Sequence, residues 1–219
     1  MTHDMSFALP QLLRGLGVTL EIGVIVVTAG SLAGFVVGLS LLYGGTLVRL
    51  AARLYVDTIR GLPVLVLIFA IYFALPAFGL RLSAFQAGVA ALSIFAAAHV
   101  AEVVRGGIDS IPRAQVDAAM AVGLTFWQRL RLVILPQAVR RMVPSWVNVA
   151  VEIVKGSALL SLLGIIELLL AMQNVVGVTF NPLPFYGLTA FLYFAVNFTV
   201  SRIGGLLERQ VAEELIGHQ

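Results

Sequence analysis

DAAMAVGLTFWQRLRLVILP, residues 117–136, is a polar and basic island inside a chain that is otherwise apolar enough to live in a membrane. Asp117, Ala118 and Ala119 are followed by a single Gly at 123, a bulky basic run, and then Val133, Leu135 and Pro136. Ala favours helix and Gly tolerates the backbone angles that interrupt one, so the stretch predicts two short helices joined by a turn at Gly123. Such an element belongs outside the hydrocarbon, as a loop of residues 112–136.

Around this island the composition sets the class. Of 219 residues, 60% are hydrophobic and 11% are charged, against about 25% charged in an ordinary soluble domain. That balance points to an all-α integral membrane protein, one transmembrane domain spanning residues 1–219. Five apolar runs are long enough for helical spans at 1.5 Å per residue, roughly residues 22–42, 62–78, 84–104, 142–166 and 185–207. The chain has no Cys, which removes disulfides and thiolate chemistry. The N-terminus lacks the basic start of a signal peptide and is kept in the mature protein. The formal charge of +3 is too small and too scattered to indicate nucleic acid binding; its placement bears on membrane orientation instead.

Within the first span Gly30, Gly34 and Gly38 share one face, where a neighbouring helix can approach closely, either in the same subunit or across a pair. Glu21 reads as an interfacial charge just ahead of it. YGGTLVRLAAR, starting at Tyr43, reads as a short loop, and Pro63 suits the first turn of the second span. Gly106 and Gly107 are expected to end the third span. His99 and Glu102 lie three residues apart on it, with no third ligand in register, so a metal centre is not expected. The fourth span carries Ser145, Asn148, Glu152 and Lys155 at intervals of three or four, which makes one face of a membrane helix polar. Charges at the bilayer centre are costly, so Asn148, Glu152 and Lys155 are candidates to line a path for a solute; the alternative is a structural pair, Glu152 neutralising Lys155. Residues 167–183 read as a Pro-containing loop and the end of the chain as a charged tail. The inside rule places Arg49, Arg53, Arg60, Arg105, Arg113, Arg129, Arg131, Arg140, Arg141, Arg202 and Arg209 in the cytoplasm and leaves Arg14 and Arg81 outside, so the N-terminus is outside, the C-terminus cytoplasmic and the 117–136 stretch cytoplasmic.

The order D-A-A, three residues, Gly123, nine residues, V-I-L-P resembles the E-A-A…G…I-x-L-P loop of ABC importer permeases, with Asp117 in place of Glu and Val133 in place of Ile. Tyr55, Arg60, Gly61 and Pro63 resemble the Y-x4-R-G-x-P signature of the polar amino acid uptake family, and Glu102, Arg105, Gly106, Gly107 and Ile108 its E-x-x-R-G-G-I stretch. Its N-x6-K-D-T-S-L segment is matched at Asn148, Lys155 and Leu159, while Gly156, Ser157 and Ala158 depart from it. The chain thus resembles histidine, glutamine and arginine permeases of type I importers. That resemblance implies a bacterial inner-membrane, multi-pass permease that works with an ATP-binding subunit dimer, a second permease subunit (the same chain or a sister), an extracytoplasmic solute-binding protein, membrane lipid and an amino acid solute. Asp117, Ala118, Ala119, Gly123 and Pro136 would couple it to the ATPase. The chain has no G-x4-G-K-[ST] loop, so it is not expected to be an enzyme or to hold a cofactor; ATP and Mg2+ would be used by the partner. An ectoine-like zwitterion is the alternative solute. An ATPase-independent transporter or channel is the alternative class, with too few helices in one chain for two inverted halves; a membrane enzyme lacks any convergent acid, base and nucleophile.

Overall fold

A computed structural model of the protein describes the backbone of residues 2–216 and the side chains of residues 5–206 and Glu208; residues 217–219 of the charged tail, and the side chain of Arg209, lie outside the described residues. The described chain is built of helices and turns: α1 (Thr2–Tyr43), α2 (Thr46–Gly61), α3 (Val64–Phe69), α4 (Ala84–Asp109), α5 (Arg113–Ala121), α6 (Phe126–Arg129), α7 (Leu135–Gly156), α8 (Leu168–Thr179) and α9 (Pro182–Ile216). Four stretches are long and apolar enough to cross a bilayer, Met5–Tyr43, Ala84–Asp109, Phe126–Leu163 and Pro182–Leu206. Thr46–Gly61 and Val64–Phe78, bent by 109° at the break, make a fifth span when counted as one.

Several boundaries differ from the sequence reading, each for a visible reason. The first span is the second half of a helix that starts at Thr2, because Ala8 and Leu12 find partners in Leu168, Ala171, Met172, Val175 and Phe185. Glu21 therefore sits mid-helix and exposed rather than ahead of the span. The YGGTLVRLAAR loop is replaced, from Thr46 onward, by α2, which buries Ala52 and Val56 against Leu41 and Ala101. Gly106 and Gly107 do not end α4, which runs on to Asp109; Gly107 serves packing, lying against Met142 and the Ala138 carbonyl. The fourth span ends its α-helix at Gly156 and tightens into a 3-10 turn, Ser157–Leu163, closed by Gly164 at φ +79°. Residues 168–179, expected as loop, are the helix α8, and α9 continues through most of the expected tail.

Two widened π turns, Ala70–Ala74 and Leu130–Ile134, each end two residues before a proline, Pro76 and Pro136. A proline offers no N–H to the carbonyl four residues back and its ring collides with it, so the helix upstream opens by a residue instead of breaking. Pro136 is thus internal to one continuous helical stretch, Phe126–Leu163, rather than the end of a separate loop helix.

The central contact is α1 on α4, running parallel through the glycine face. A Cβ added to Gly30 would come within 2.5 Å of the Ala96 methyl, one at Gly34 within 2.6 Å of Val100 Cβ and 2.7 Å of the Ala97 carbonyl, and one at Gly38 within 2.7 Å of Val104 Cβ. The three glycines therefore serve a contact inside the subunit. Gly204 on α9 makes a similar close approach to Val147 of α7, while Gly205 faces open space. Without a hydrophobic drive between helices in lipid, such close backbone contact supplies much of the association energy.

Gly34→Leu is expected to destabilise the protein by about 1–3 kcal/mol or more through overpacking against the α4 backbone, whereas Gly17→Ala, where an added Cβ meets nothing within 4 Å, should be neutral or slightly stabilising. Thermal unfolding of the two variants in the same detergent checks this; equal melting temperatures would contradict the tight contact.

Candidate functional site

The 112–136 stretch folds as a helix, a turn and a second helix. α5 ends in a Schellman motif: Gly123 N–H donates to the Met120 carbonyl at 2.9 Å and Leu124 N–H to the Ala119 carbonyl at 3.1 Å, with Gly123 at φ +80°. The next helix starts with a capping box in which Gln128 N–H donates to Thr125 Oγ1 at 3.4 Å and Thr125 N–H to Gln128 Oε1 at 2.8 Å. That T-x-x-Q signal was present in the sequence and unread. Asp117 and Ala118 point outward, whereas Ala119 is buried against the subunit itself, so its small side chain serves the protein's own packing. The outer surface is instead apolar around the turn: Val122 is 75% and Trp127 73% exposed. Phe126 rests edge-on against Tyr43, centroids 5.0 Å apart, which fixes the element to the end of α1. Pro136 is half-buried at the base.

On α7 the structure brings Asn148, Glu152 and Lys155 onto one stripe with Ser145 and Arg141, all exposed, while Met142, Val147, Ala150, Ile153 and Val154 turn inward. Glu152 and Lys155 border a cleft of about 360 Å3 walled by Val64, Leu92 and Phe95. No hydrogen bond or ion pair joins Glu152 to Lys155 among the described residues, so the alternative of a structural pair has no contact behind it here. A helix in lipid does not leave five polar side chains facing hydrocarbon, and a stripe not covered by its own subunit faces water or another chain.

Residues 27–213 match the family described as binding-protein-dependent transport system inner membrane component. The chain belongs to this family. It is 34% identical to the probable amino-acid ABC transporter permease protein YckA of Bacillus subtilis over 93% of this chain and 90% of that one, and 34% identical to the glutamine transport system permease protein GlnP of Escherichia coli over 93% and 94%. Its fold matches the crystal structure of an amino acid ABC transporter with histidines at TM-score 0.88 and 34% identity, over 94% of this chain and 96% of that one. The inward-facing MetNI methionine ABC transporter, at TM-score 0.81 and 22% identity over 96% and 99%, shares the fold. The protein is thus an inner-membrane permease.

The permease holds one polar centre that sequence reasoning missed. Glu167, fully buried, accepts hydrogen bonds from the N–H groups of Leu169 at 3.0 Å and Leu170 at 2.9 Å and from the Tyr193 hydroxyl at 2.7 Å. Thr19 donates to the same carboxylate at 3.5 Å, and its oxygen accepts the Leu168 N–H at 3.1 Å. One side chain thereby caps α8 and ties it to α1 and α9. Glu is not a usual N-cap residue, which is why the helix start was not legible.

Glu167→Ala would orphan two backbone N–H groups and a tyrosine hydroxyl at roughly 1–3 kcal/mol each, and is expected to lower thermal stability sharply; Tyr193→Phe should cost far less. Similar melting temperatures for both variants in nanodiscs would contradict the capping role.

Proposed function

We propose that the chain is the permease subunit of an ATP-driven importer of polar or charged amino acids, in which two such subunits, identical or sister, enclose the solute path between their α7 stripes. The observation that carries this is the stripe itself: Ser145, Asn148, Glu152 and Lys155 are exposed by their own subunit yet lie in a stretch apolar enough to span the bilayer. Glu152 and Lys155, unpaired with each other, present an anion and a cation within one turn, which suits a zwitterion whose ammonium meets Glu152 and whose carboxylate meets Lys155. Similarity to the amino-acid and glutamine permeases supports the solute class.

Energy comes from a separate ATPase seated on the helix–turn–helix element. Its outward Asp117 and Ala118, with Val122 and Trp127 beside them, give the exposed surface; Gly123 sets the angle between the two helices. ATP and Mg2+ belong to that partner, and an extracytoplasmic binding protein delivers the solute. Arg113, Arg129, Arg131, Arg140 and Arg141 lie at or beside this element, which supports a cytoplasmic position for it and an outside N-terminus.

Gly123→Val places a β-branched residue at φ +80°, a cost of about 1–2 kcal/mol or more, so solute-stimulated ATP hydrolysis should fall roughly tenfold with membrane insertion intact. Lys155→Met and Glu152→Gln each remove a charge-assisted contact worth roughly 1.5–3 kcal/mol, so uptake in proteoliposomes should fall about tenfold or change its solute preference with the complex still assembled. Unchanged stimulation in the first case, or loss of assembly without any change of preference in the second, would sink the corresponding role.

A further inference from the structure

Two stretches about forty residues apart in sequence, the one around Arg60 and the one from Glu102 to Gly107, meet at a cleft that shares Ser145 with the α7 stripe and lies apart from Glu152 and Lys155. It measures about 460 Å3, is bordered by Arg60, His99, Glu102, Gly106, Arg141 and Ser145, and lies towards the end of the bundle that carries the helix–turn–helix element. Small-molecule sites commonly enclose about 300–1,000 Å3. Ser145 and Arg141 are the continuation of the α7 stripe, so the cleft follows the Glu152 and Lys155 cleft along the same face. We propose that this cleft is a second solute subsite of the permease, one that holds a carboxylate.

The charge arrangement argues for it. Glu102 is the acid of the cleft, and Arg105 already claims it through a two-pronged contact, Nε to Oε1 at 3.1 Å and Nη2 to Oε2 at 2.8 Å, while also donating to Asp109 at 3.0 Å. Arg60 reaches Glu102 only at 3.6 Å, an ion-pair distance too long for a hydrogen bond, and it makes no hydrogen bond among the described residues. Arg141 spends one N–H on the Ser110 carbonyl at 2.6 Å. Two guanidinium groups with donors to spare thus border a cleft whose own carboxylate is occupied elsewhere. A guanidinium fork matches a carboxylate in two parallel hydrogen bonds, and positive charge inside a membrane bundle requires a counter-charge. His99 complements them: its Nδ1 lies 3.0 Å from the Phe95 carbonyl, and the tautomer that donates there leaves Nε2 as an acceptor for a solute ammonium or hydroxyl.

Gly106 supplies the room. A Cβ added at Gly107 would strike Met142, but one added at Gly106 meets nothing within 4 Å, so its missing side chain opens the cleft and serves no internal contact. Substitution at Gly106 therefore fills the cleft without disturbing the core.

The inference rests on the reading of the α7 stripe as the solute path, and the test separates the two. The permease–ATPase complex in nanodiscs, without binding protein, is titrated with tritiated L-glutamine and L-histidine in competition with the same amino acids and with their α-carboxamides. In the parent complex the free acids are expected to displace label about tenfold better than the carboxamides. Two saturable components are expected, and Lys155→Met should remove the one at the Glu152 and Lys155 cleft; Arg60→Gln should erase the free-acid preference of the other component and Gly106→Val should abolish that component. Gly106→Ala, a smaller intrusion, should weaken it partially and gives a reading should Arg60→Gln assemble poorly by size-exclusion chromatography. Binding lost in Lys155→Met but unchanged in Gly106→Val and Arg60→Gln overturns the second subsite and leaves the path reading standing. Absence of saturable binding in the parent complex, or binding indifferent to all these variants, overturns the inference; in the indifferent case the path reading falls with it.

Discussion

Hydrocarbon offers no hydrogen bonds, so every polar group carried into the bilayer must find a partner in the protein or face water. The permease meets this constraint in two opposite ways. At Glu167 the carboxyl group is fully enclosed and surrounded by donors from three helices, so a buried polar side chain becomes the pin that holds α8 between α1 and α9. Along α7 no such enclosure exists: Arg141, Ser145, Asn148, Glu152 and Lys155 are turned away from the subunit's own core. The first arrangement fixes the scaffold. The second requires something outside the chain, and the proposed shared solute path rests on that requirement.

Close helix contacts stiffen the scaffold behind the α7 stripe. Glycines on α1 let its backbone meet α4 closely, Gly204 does the same for α9 on α7, and Trp146 on α7 donates to Ser31 on α1 at 2.7 Å. The helix–turn–helix element is joined to this wall by one helical stretch, Phe126–Leu163. In the proposed coupling, a displacement of the turn at Gly123 would reach Asn148, Glu152 and Lys155 along this one rod. The π turn at Leu130–Ile134, ahead of Pro136, is the place where that rod has slack.

Features that depend on local periodicity or on one special residue were legible in the sequence: the glycine face of the first span, the turn at Gly123, the polar stripe of the fourth span, and the family likeness carried by residues 117–136. Features set by tertiary partners were not. The first half of α2, within YGGTLVRLAAR, reads as loop because its helix is stabilised by Leu41 and Ala101, distant in sequence. Gly106 and Gly107 looked like a helix stop, yet their role concerns space between helices, which no pattern in one strand of sequence reports. Ala119, expected among the coupling residues, faces inward; a nine-residue helix carries too few residues for its pattern to fix its rotation. The Glu152–Lys155 pair was proposed from spacing alone; three residues apart permits contact on a helix but does not enforce it.

The central claim is that the α7 stripe faces water inside the assembled transporter. Because the natural chain has no Cys, a single thiol introduced by Asn148→Cys can be followed without background, with Phe191→Cys, an exposed apolar position on α9, as the lipid-side comparison. Reaction of each thiol with a charged, membrane-impermeant methanethiosulfonate reagent is measured in the intact permease–ATPase complex in nanodiscs, so that both faces are open to the reagent. The account predicts rapid modification at 148, slowed by saturating amino acid solute, and slow modification at 191. Equal, slow reaction at both positions would show that the stripe is sealed from water and would contradict the account.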